Sequence, residues 1–250
     1  MFAHCHRLRG AAMLLPLPAL FFLAALALGA EGTTDIGIRM YDLETKKLRY
    51  EGTRQRIEAE GKVTVRTQMS KADGTKVQSE VTVYDAQTLA LISFEREDFL
   101  TGRLEKMSKT GGKVVISFKE DRGEDVETEE LDWEDNMALT LTIVPLLQRN
   151  WKTIRAGEEV EIQLLVPSRQ DTVTFDLEKD SLAKVGGREV TVVVMEPDSF
   201  FIRALVDPLY FYLDNAAPHR LLEYTGRVSV KDDEGDDLDL RAEYTYSMRQ

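Results

Sequence analysis

Residues 63–83 read VTVRTQMSKADGTKVQSEVTV, and the reading of this stretch decides the fold class. Val63, Val65, Thr67 and Met69 alternate with Thr64, Arg66 and Gln68. After Asp73-Gly74 the alternation resumes, with Val77, Ser79, Val81 and Val83 set against Gln78, Glu80 and Thr82. A period of two marks a half-buried strand. Asp-Gly tolerates the positive φ angles of a tight hairpin turn, so the stretch predicts a β-hairpin.

The same rhythm runs outward from this hairpin. Residues 89–97 continue the meander, and Thr110-Gly111-Gly112 marks the turn between strands near 103–108 and 113–119. An acidic loop at 120–125 precedes a strand at 126–131. Val160, Ile162, Leu164 and Val166 alternate against Glu161 and Gln163, and Val173, Phe175 and Leu177 repeat the pattern. Residues 190–195 form a nearly continuous apolar run of strand length, the mark of a strand buried on both faces or at a sheet centre. Strands are expected at 200–206, 209–213, 219–230 and 238–247, with a turn at 215–218.

Residues 136–157 break the rhythm. Pro145 suits a first helical turn, where its missing N–H has no partner. Leu147, Trp151 and Ile154 fall on one helical face, and Gly157 can close the helix, so a short helix is predicted over 145–156. About ten short strands and one helix describe an all-β, mainly antiparallel fold. A sheet of that many strands must twist, curl or close. The expected architecture is a strongly curved sheet or open half-barrel, with the helix plugging or flanking its concave face; a two-sheet sandwich is the alternative. Residues 30–250 are read as a single β domain, its halves at about 37–135 and 160–250 joined by the helical segment.

The N-terminus carries an address. Arg7 and Arg9 precede an apolar run at 11–28, and small residues follow at Ala25-Leu26-Ala27 and Ala27-Leu28-Gly29. This order describes a secretory signal over residues 1–29. The run approaches the roughly 20 residues needed to span a bilayer, so a retained anchor is the competing reading. Pro16 and Pro18 interrupt the run, and Glu31 and Asp35 follow it in place of a basic stop-transfer cluster. Export is therefore expected, to the periplasm or, as the alternative, outside the cell. The one cysteine, Cys5, leaves with the signal. A mature chain without cysteine has no disulfide, thiol nucleophile or thiolate metal site. The formal charge of −12 becomes −14 once Arg7 and Arg9 are removed. Such a chain repels nucleic acid and anionic headgroups. No nucleic-acid partner is expected, and membrane contact is expected only through an uncleaved signal segment.

No motif implies a cofactor or a metal. His219 is the one histidine beyond the signal, and no Gly-x-Ser-x-Gly elbow presents a serine to it. The acidic stretch 232–239 lacks the spacing of a calcium loop, and Gly235 suits a solvated hairpin turn. A second acidic group, Glu127, Glu129, Glu130, Asp132, Glu134 and Asp135, reads as a polar strand edge. The aromatic residues offer the best binding lead. Alternation sends Tyr210 and Tyr212 to one face and Phe211 to the other. With Phe211 in the core, the two tyrosines are candidates to line a ligand-facing or partner-facing surface. Trp133 and Trp151, which flank the helical break, are candidates to wall the same cavity.

From Leu146 onward the chain resembles a group of exported bacterial proteins of unknown function. The blocks that carry the resemblance are Leu147-Gln148-Arg149-Asn150-Trp151, Ala156-Gly157-Glu158 and Leu165-Val166-Pro167-Ser168-Arg169, then Val206-Asp207-Pro208-Leu209 and Pro218-His219-Arg220-Leu221-Leu222-Glu223-Tyr224-Thr225-Gly226. They are strand-and-turn texture, and no functional residue is carried over with them. The architecture is also similar to that of periplasmic lipoprotein carriers and their lipid-binding relatives. The resemblance implies a periplasmic protein. The expected function is non-catalytic binding of an apolar or amphiphilic ligand, a lipid-like small molecule, in a curved-sheet cavity. An assembly factor that binds another envelope protein is the alternative, and an atypical hydrolase relying on His219 the third reading.

Overall fold

The computed structural model describes residues 32–203 and 207–248. The signal expected at 1–29 lies outside these residues, as does the stretch 204–206. The first half of the chain is a meander of eight strands: β1 (Gly32–Asp42), β2 (Leu48–Ala59), β3 (Lys62–Lys71), β4 (Lys76–Asp85), β5 (Leu91–Asp98), β6 (Leu104–Thr110), β7 (Lys113–Lys119) and β8 (Glu127–Asp132). The short β9 (Met137–Ala138) leads into two helices, α1 (Ile143–Arg149) and α2 (Trp151–Ala156). The second half comprises β10 (Val160–Val166), β11 (Asp171–Val185), β12 (Arg188–Pro197), the helical turn α3 (Phe200–Arg203), β13 (Leu209–Asp214), β14 (Leu221–Lys231) and β15 (Asp237–Met248).

All fifteen strands belong to one sheet, in the order β8-β7-β6-β5-β4-β3-β2-β1-β15-β14-β13-β12-β11-β10-β9. The fold is all-β, an open, strongly curved sheet, and a two-sheet sandwich does not form. The predicted hairpin is β3–β4, with Met69 opposite Gln78 and Val63 opposite Tyr84. Every ladder is antiparallel except the short one between β9 and β10. The two halves meet at the sheet centre, where β1 pairs with β15.

Curvature comes from bulges, which raise local twist and bend a strand. The register slips between Met69 and Ser70, between Val83 and Tyr84, and between Arg227 and Lys231. The last slip folds the tip of the β14–β15 hairpin over the inner face of the first half. There Val228 and Val230 pack with Tyr50, Met69 and Val77. Gln78 holds Ser229 twice: its Nε2 donates to the Ser229 carbonyl (2.9 Å), and Ser229 Oγ donates to Gln78 Oε1 (3.0 Å). The two sheet edges approach by packing and not by a hydrogen-bonded ladder. Leu165 of β10 and Met137 of β9 share a core with Phe94, Met107, Val114 and Ile116 of β5–β7.

Two local readings are corrected. The helix expected over 145–156 begins at Ile143 and breaks at Asn150, where φ and ψ are −92° and 16°. The Asn150 side-chain amide donates to the Leu146 carbonyl (3.0 Å) alongside its own backbone N–H. Such local bonds compete with helix continuation. The strand expected at 200–206 is replaced over Phe200–Arg203 by α3, since the Arg203 backbone N–H turns back onto the Ser199 carbonyl (2.9 Å) and its Nε onto the Pro197 carbonyl (2.9 Å). The predicted helix end does hold: Gly157 adopts φ 83°, the left-handed conformation in which glycine has no Cβ penalty.

Candidate functional site

The segment from β9 to α2 runs through the interior of the curled sheet, and its successive odd residues serve different clusters. Leu139 packs into the β5–β7 core, Leu141 against Val63, Val65 and Tyr84, and Ile143 and Leu147 into the core of the second half. The Thr142 hydroxyl accepts from the Leu139 N–H (2.9 Å) and donates to its carbonyl (3.0 Å), which fixes the turn into α1. Polar side chains then tie the helices to both walls. Arg149 donates to the carbonyls of Gln87 and Thr88 in the β4–β5 turn. Gln148 Nε2 donates to the His219 carbonyl (3.1 Å), and Arg155 Nη1 reaches Thr191 Oγ1 (2.9 Å) and Asn215 Oδ1 (2.7 Å).

Between α1 and the sheet lies a cavity of about 120 Å³. Ile36, Val65, Leu141, Val144 and Leu221 supply apolar wall, while Arg54, Tyr84, Tyr244 and Tyr246 supply the polar groups. Cross-strand register explains why they converge. Arg54 and Tyr246 both stand opposite Ile36, one from β2 and one from β15. Tyr244 stands opposite Ile38 on the same face. The exposed Thr140 on the lining brings the cavity to the surface at the start of α1.

The polar groups are unequally committed. Tyr246 Oη donates to the Leu221 carbonyl (2.8 Å), and Arg56 Nη2 donates to Glu58 (2.8 Å). Arg54 uses only Nε, on Thr67 Oγ1 (3.0 Å). Among the described residues no carboxylate pairs with Arg54, and neither its terminal nitrogens nor the Tyr244 hydroxyl has a hydrogen-bond partner. Burial pushes the Tyr84, Tyr244 and Tyr246 phenols above their ordinary range; Arg56, and to a smaller extent Arg54, draws Tyr84 back part of the way, and the Arg54 charge does so for Tyr244 and Tyr246. All three remain neutral donors at physiological pH.

Beside the cavity a charged row crosses the inner face. In register from β2 to β6 stand Arg54, Thr67, Glu80, Arg96 and Glu105. Arg96 lies between two carboxylates, 2.7 Å from Glu80 and 2.8 Å from Glu105, and Arg103 Nε adds a contact of 2.9 Å to Glu105. Burial opposes the Arg96 charge, but Glu105 and Glu80 outweigh it and push the guanidinium's pKa up. Glu80 Oε1 and the neighbouring Thr82 Oγ1 are buried without protein partners. A larger trough of about 770 Å³ crosses the outer face of β15, β1, β2, β3 and β4. Thr53, Gln68, Ser79 and Thr245 contribute to it, and it is open to solvent. A site that must enclose most of its ligand is better served by the interior cavity.

The aromatic residues singled out from the sequence do not meet there. Phe211 faces the core as expected and packs edge-on against Tyr224 with ring centroids 5.1 Å apart. Tyr210 and Tyr212 therefore take the opposite, outer face, opposite Val194 and Val192 of β12. Both valines are buried, so each tyrosine has a packing partner on that face. Trp133 packs on the β5–β7 core with Lys109 over its ring, while Trp151 packs on the second-half core. The two tryptophans belong to separate clusters and do not wall one cavity. The residues missed were Arg54, Tyr84, Tyr244 and Tyr246. The available signal was the alternation Tyr244-Thr245-Tyr246, with the pair Arg54 and Arg56 two positions apart in the β2 sequence LRYEGTRQRIEA.

The other candidates resolve into structure. The His219 ring stacks on Trp151, and its Nδ1 lies 3.2 Å from the Asp214 carbonyl. In the acidic loop Asp232 Oδ1 accepts from the backbone N–H groups of Glu234 (3.1 Å) and Asp236 (2.7 Å), and Gly235 takes φ 90°. Asp237 and Asp239 are paired with Arg227, and Asp237 also with Lys231. Among the described residues no helix is long and apolar enough to cross a membrane.

No protein-family model matches the chain, and no curated protein matches it. Among solved structures it is similar to a beta-barrel-like protein of domain of unknown function DUF1849 from Brucella abortus. The similarity spans 88% of this chain and 98% of that one, at 11% identity and a TM-score of 0.47. It assigns no function.

Proposed function

We propose that the protein is a non-catalytic binding protein that holds an apolar or amphiphilic small molecule inside the curved sheet. One observation carries this reading: an interior cavity with apolar walls into which the protein aims polar groups it does not itself use. Ligand sites commonly combine an apolar lining with a few convergent polar groups. The volume matches a small ring or a headgroup with a few carbons, given that an engineered cavity of about 150 Å³ takes up benzene. A longer chain would leave past Thr140. The N-terminal basic-apolar-small pattern supports export, with the periplasm as the proposed site of action.

Native mass spectrometry of the mature chain, purified from its own envelope, tests the proposal. A retained mass of small-molecule size is expected, together with uptake of an apolar fluorophore that Val144→Trp, which enlarges a side chain of the cavity wall, reduces. A bare mass with no fluorophore uptake overturns it. The assembly-factor reading draws on one feature, the edge strand β8, which is solvent-exposed along nearly its whole length and acidic. Cross-linking in cells that captures a partner through β8 would favour that reading.

A further inference from the structure

We infer that the cavity is built for an alkyl carboxylate, with the carboxylate on Arg54 and Tyr244 and the chain along Ile36, Val65, Leu141, Val144 and Leu221. The inference rests on the binding reading above and adds the chemistry of the ligand's head. A cation facing a largely apolar space is costly unless something answers its charge. Every other inward arginine of the first half has its answer: Arg96 has Glu80 and Glu105, Arg103 has Glu105, and Arg56 has Glu58. Arg54 is the exception among the described residues, although Glu80 is only two strands away in the same row. Glu80 is already engaged by Arg96 Nε and Nη2.

The orientation of Arg54 suits the task. Its Nε is held by Thr67 Oγ1, so the guanidinium plane is fixed and the edge formed by the two terminal nitrogens stays available. That edge offers two parallel N–H donors, the fork that matches a carboxylate. Tyr244 contributes a third donor, a hydroxyl kept protonated by burial. Among the described residues no carboxylate lines the cavity to repel an anion, and the nearby Glu80, Glu105 and Glu58 each have an arginine partner. The apolar wall begins on the same strands, with Ile36 directly opposite Arg54 and Val65 opposite Arg56. A head and a chain attachment are therefore adjacent. A bulky phosphodiester head exceeds what about 120 Å³ accommodates together with a chain.

The test is calorimetric titration of the mature protein with decanoate, 1-decanol and decyltrimethylammonium. Decanoate is expected to bind at least about tenfold more tightly than decanol, as a charge-assisted bond allows, and the ammonium more weakly than either. Arg54→Gln should abolish the preference for the acid, bringing decanoate affinity down to that of decanol, with a cooperative thermal transition showing that the variant is folded. Equal binding of acid and alcohol by the wild type overturns the inference and leaves the cavity reading intact. A preference that survives Arg54→Gln also overturns it. Binding of none of the three compounds removes the cavity reading itself. A series of butyrate, hexanoate, octanoate and decanoate separates the two sources of such a head. Affinity that climbs throughout identifies a lipid-like chain, and affinity that levels at butyrate identifies a small free acid.

Discussion

The indole of Trp151 lies flat on the imidazole of His219, with ring centroids 4.1 Å apart and planes inclined by 17°. The stack joins the first residue of α2 to the turn between β13 and β14, and Arg155 adds its guanidinium over the same indole. Three residues back along the helical segment, Gln148 holds the His219 carbonyl. The contact is therefore a fastening of the interior segment to the sheet. His219→Ala is expected to cost about 1 kcal/mol, the usual worth of an aromatic pair beyond its area. Urea unfolding reads this as a lower midpoint at constant slope, and an unchanged midpoint would show that the stack contributes nothing.

The charged row on the inner face makes a contrasting prediction. Arg96→Ala leaves Glu80 and Glu105, both almost fully buried, without their shared counter-ion. Removing one member of a buried ionic group typically costs about 3–5 kcal/mol. Replacing all three members by methionine should recover most of that loss, because well-packed apolar groups often equal a buried ion set. Denaturant midpoints of the two variants decide the point. Equal destabilisation would assign the role of Arg96 to packing rather than charge.

Tyrosine ionisation gives a pH prediction with a definite sign. Burial raises the Tyr84, Tyr244 and Tyr246 phenols above 10 in the folded chain. A raised folded value favours the protonated form, so the stabilisation is complete below about pH 10 and is lost as pH climbs through the folded values. Absorbance at 295 nm should therefore show a fraction of the eight tyrosines ionising late, together with loss of the far-ultraviolet β signal. Reversible titration of all eight near pH 10, with the fold intact, would contradict this.

Gly52 has a steric reason to be glycine. A Cβ there would lie 2.3 Å from Met69 Sδ and 2.5 Å from the Gln68 carbonyl oxygen. The sulfur can move, but the carbonyl is part of β3 and cannot do so without disturbing the ladder. Gly52→Ala is expected to cost about 1–3 kcal/mol through overpacking. At this size each kcal/mol lowers Tm by about 2–4 °C, so a thermal scan resolves the change.

The sequence read well where apolar periodicity and burial agree. The β3 valines, the continuous run of β12 and the left-handed Gly157 all lie where their residue types require. It read poorly in β4, where the alternation is real but the buried side is polar. Gln78, Glu80, Thr82 and Tyr84 face inward, while Val81 is 37% exposed. What makes that face tolerable lies on other strands: Arg96 of β5 neutralises Glu80, and Ser229 of β14 satisfies Gln78. Hydrophobic alternation within one strand carries no information about such cross-strand partners. The cavity stayed hidden for the same reason. Arg54 and Tyr244 are 190 positions apart in the chain and become neighbours only through the pairing of β1 with β2 and with β15. Trp133 and Trp151, close in sequence, were separated by the turn into α1.

The pairing of β1 with β15 sets the order of assembly. Gly37 and Thr245 meet across 208 positions, so the middle of the sheet is made from the most distant parts of the chain. Both meanders can form by local steps, each from successive hairpins, but the seam between them must wait for the final strand. Contacts of such long range slow folding. Until β15 arrives, β1 is an unpaired edge carrying Ile36, Ile38 and Met40, three side chains that the finished molecule buries. A nascent chain of this kind stays sticky until β15 has been made, and the interval before that strand docks is when a chaperone would matter most.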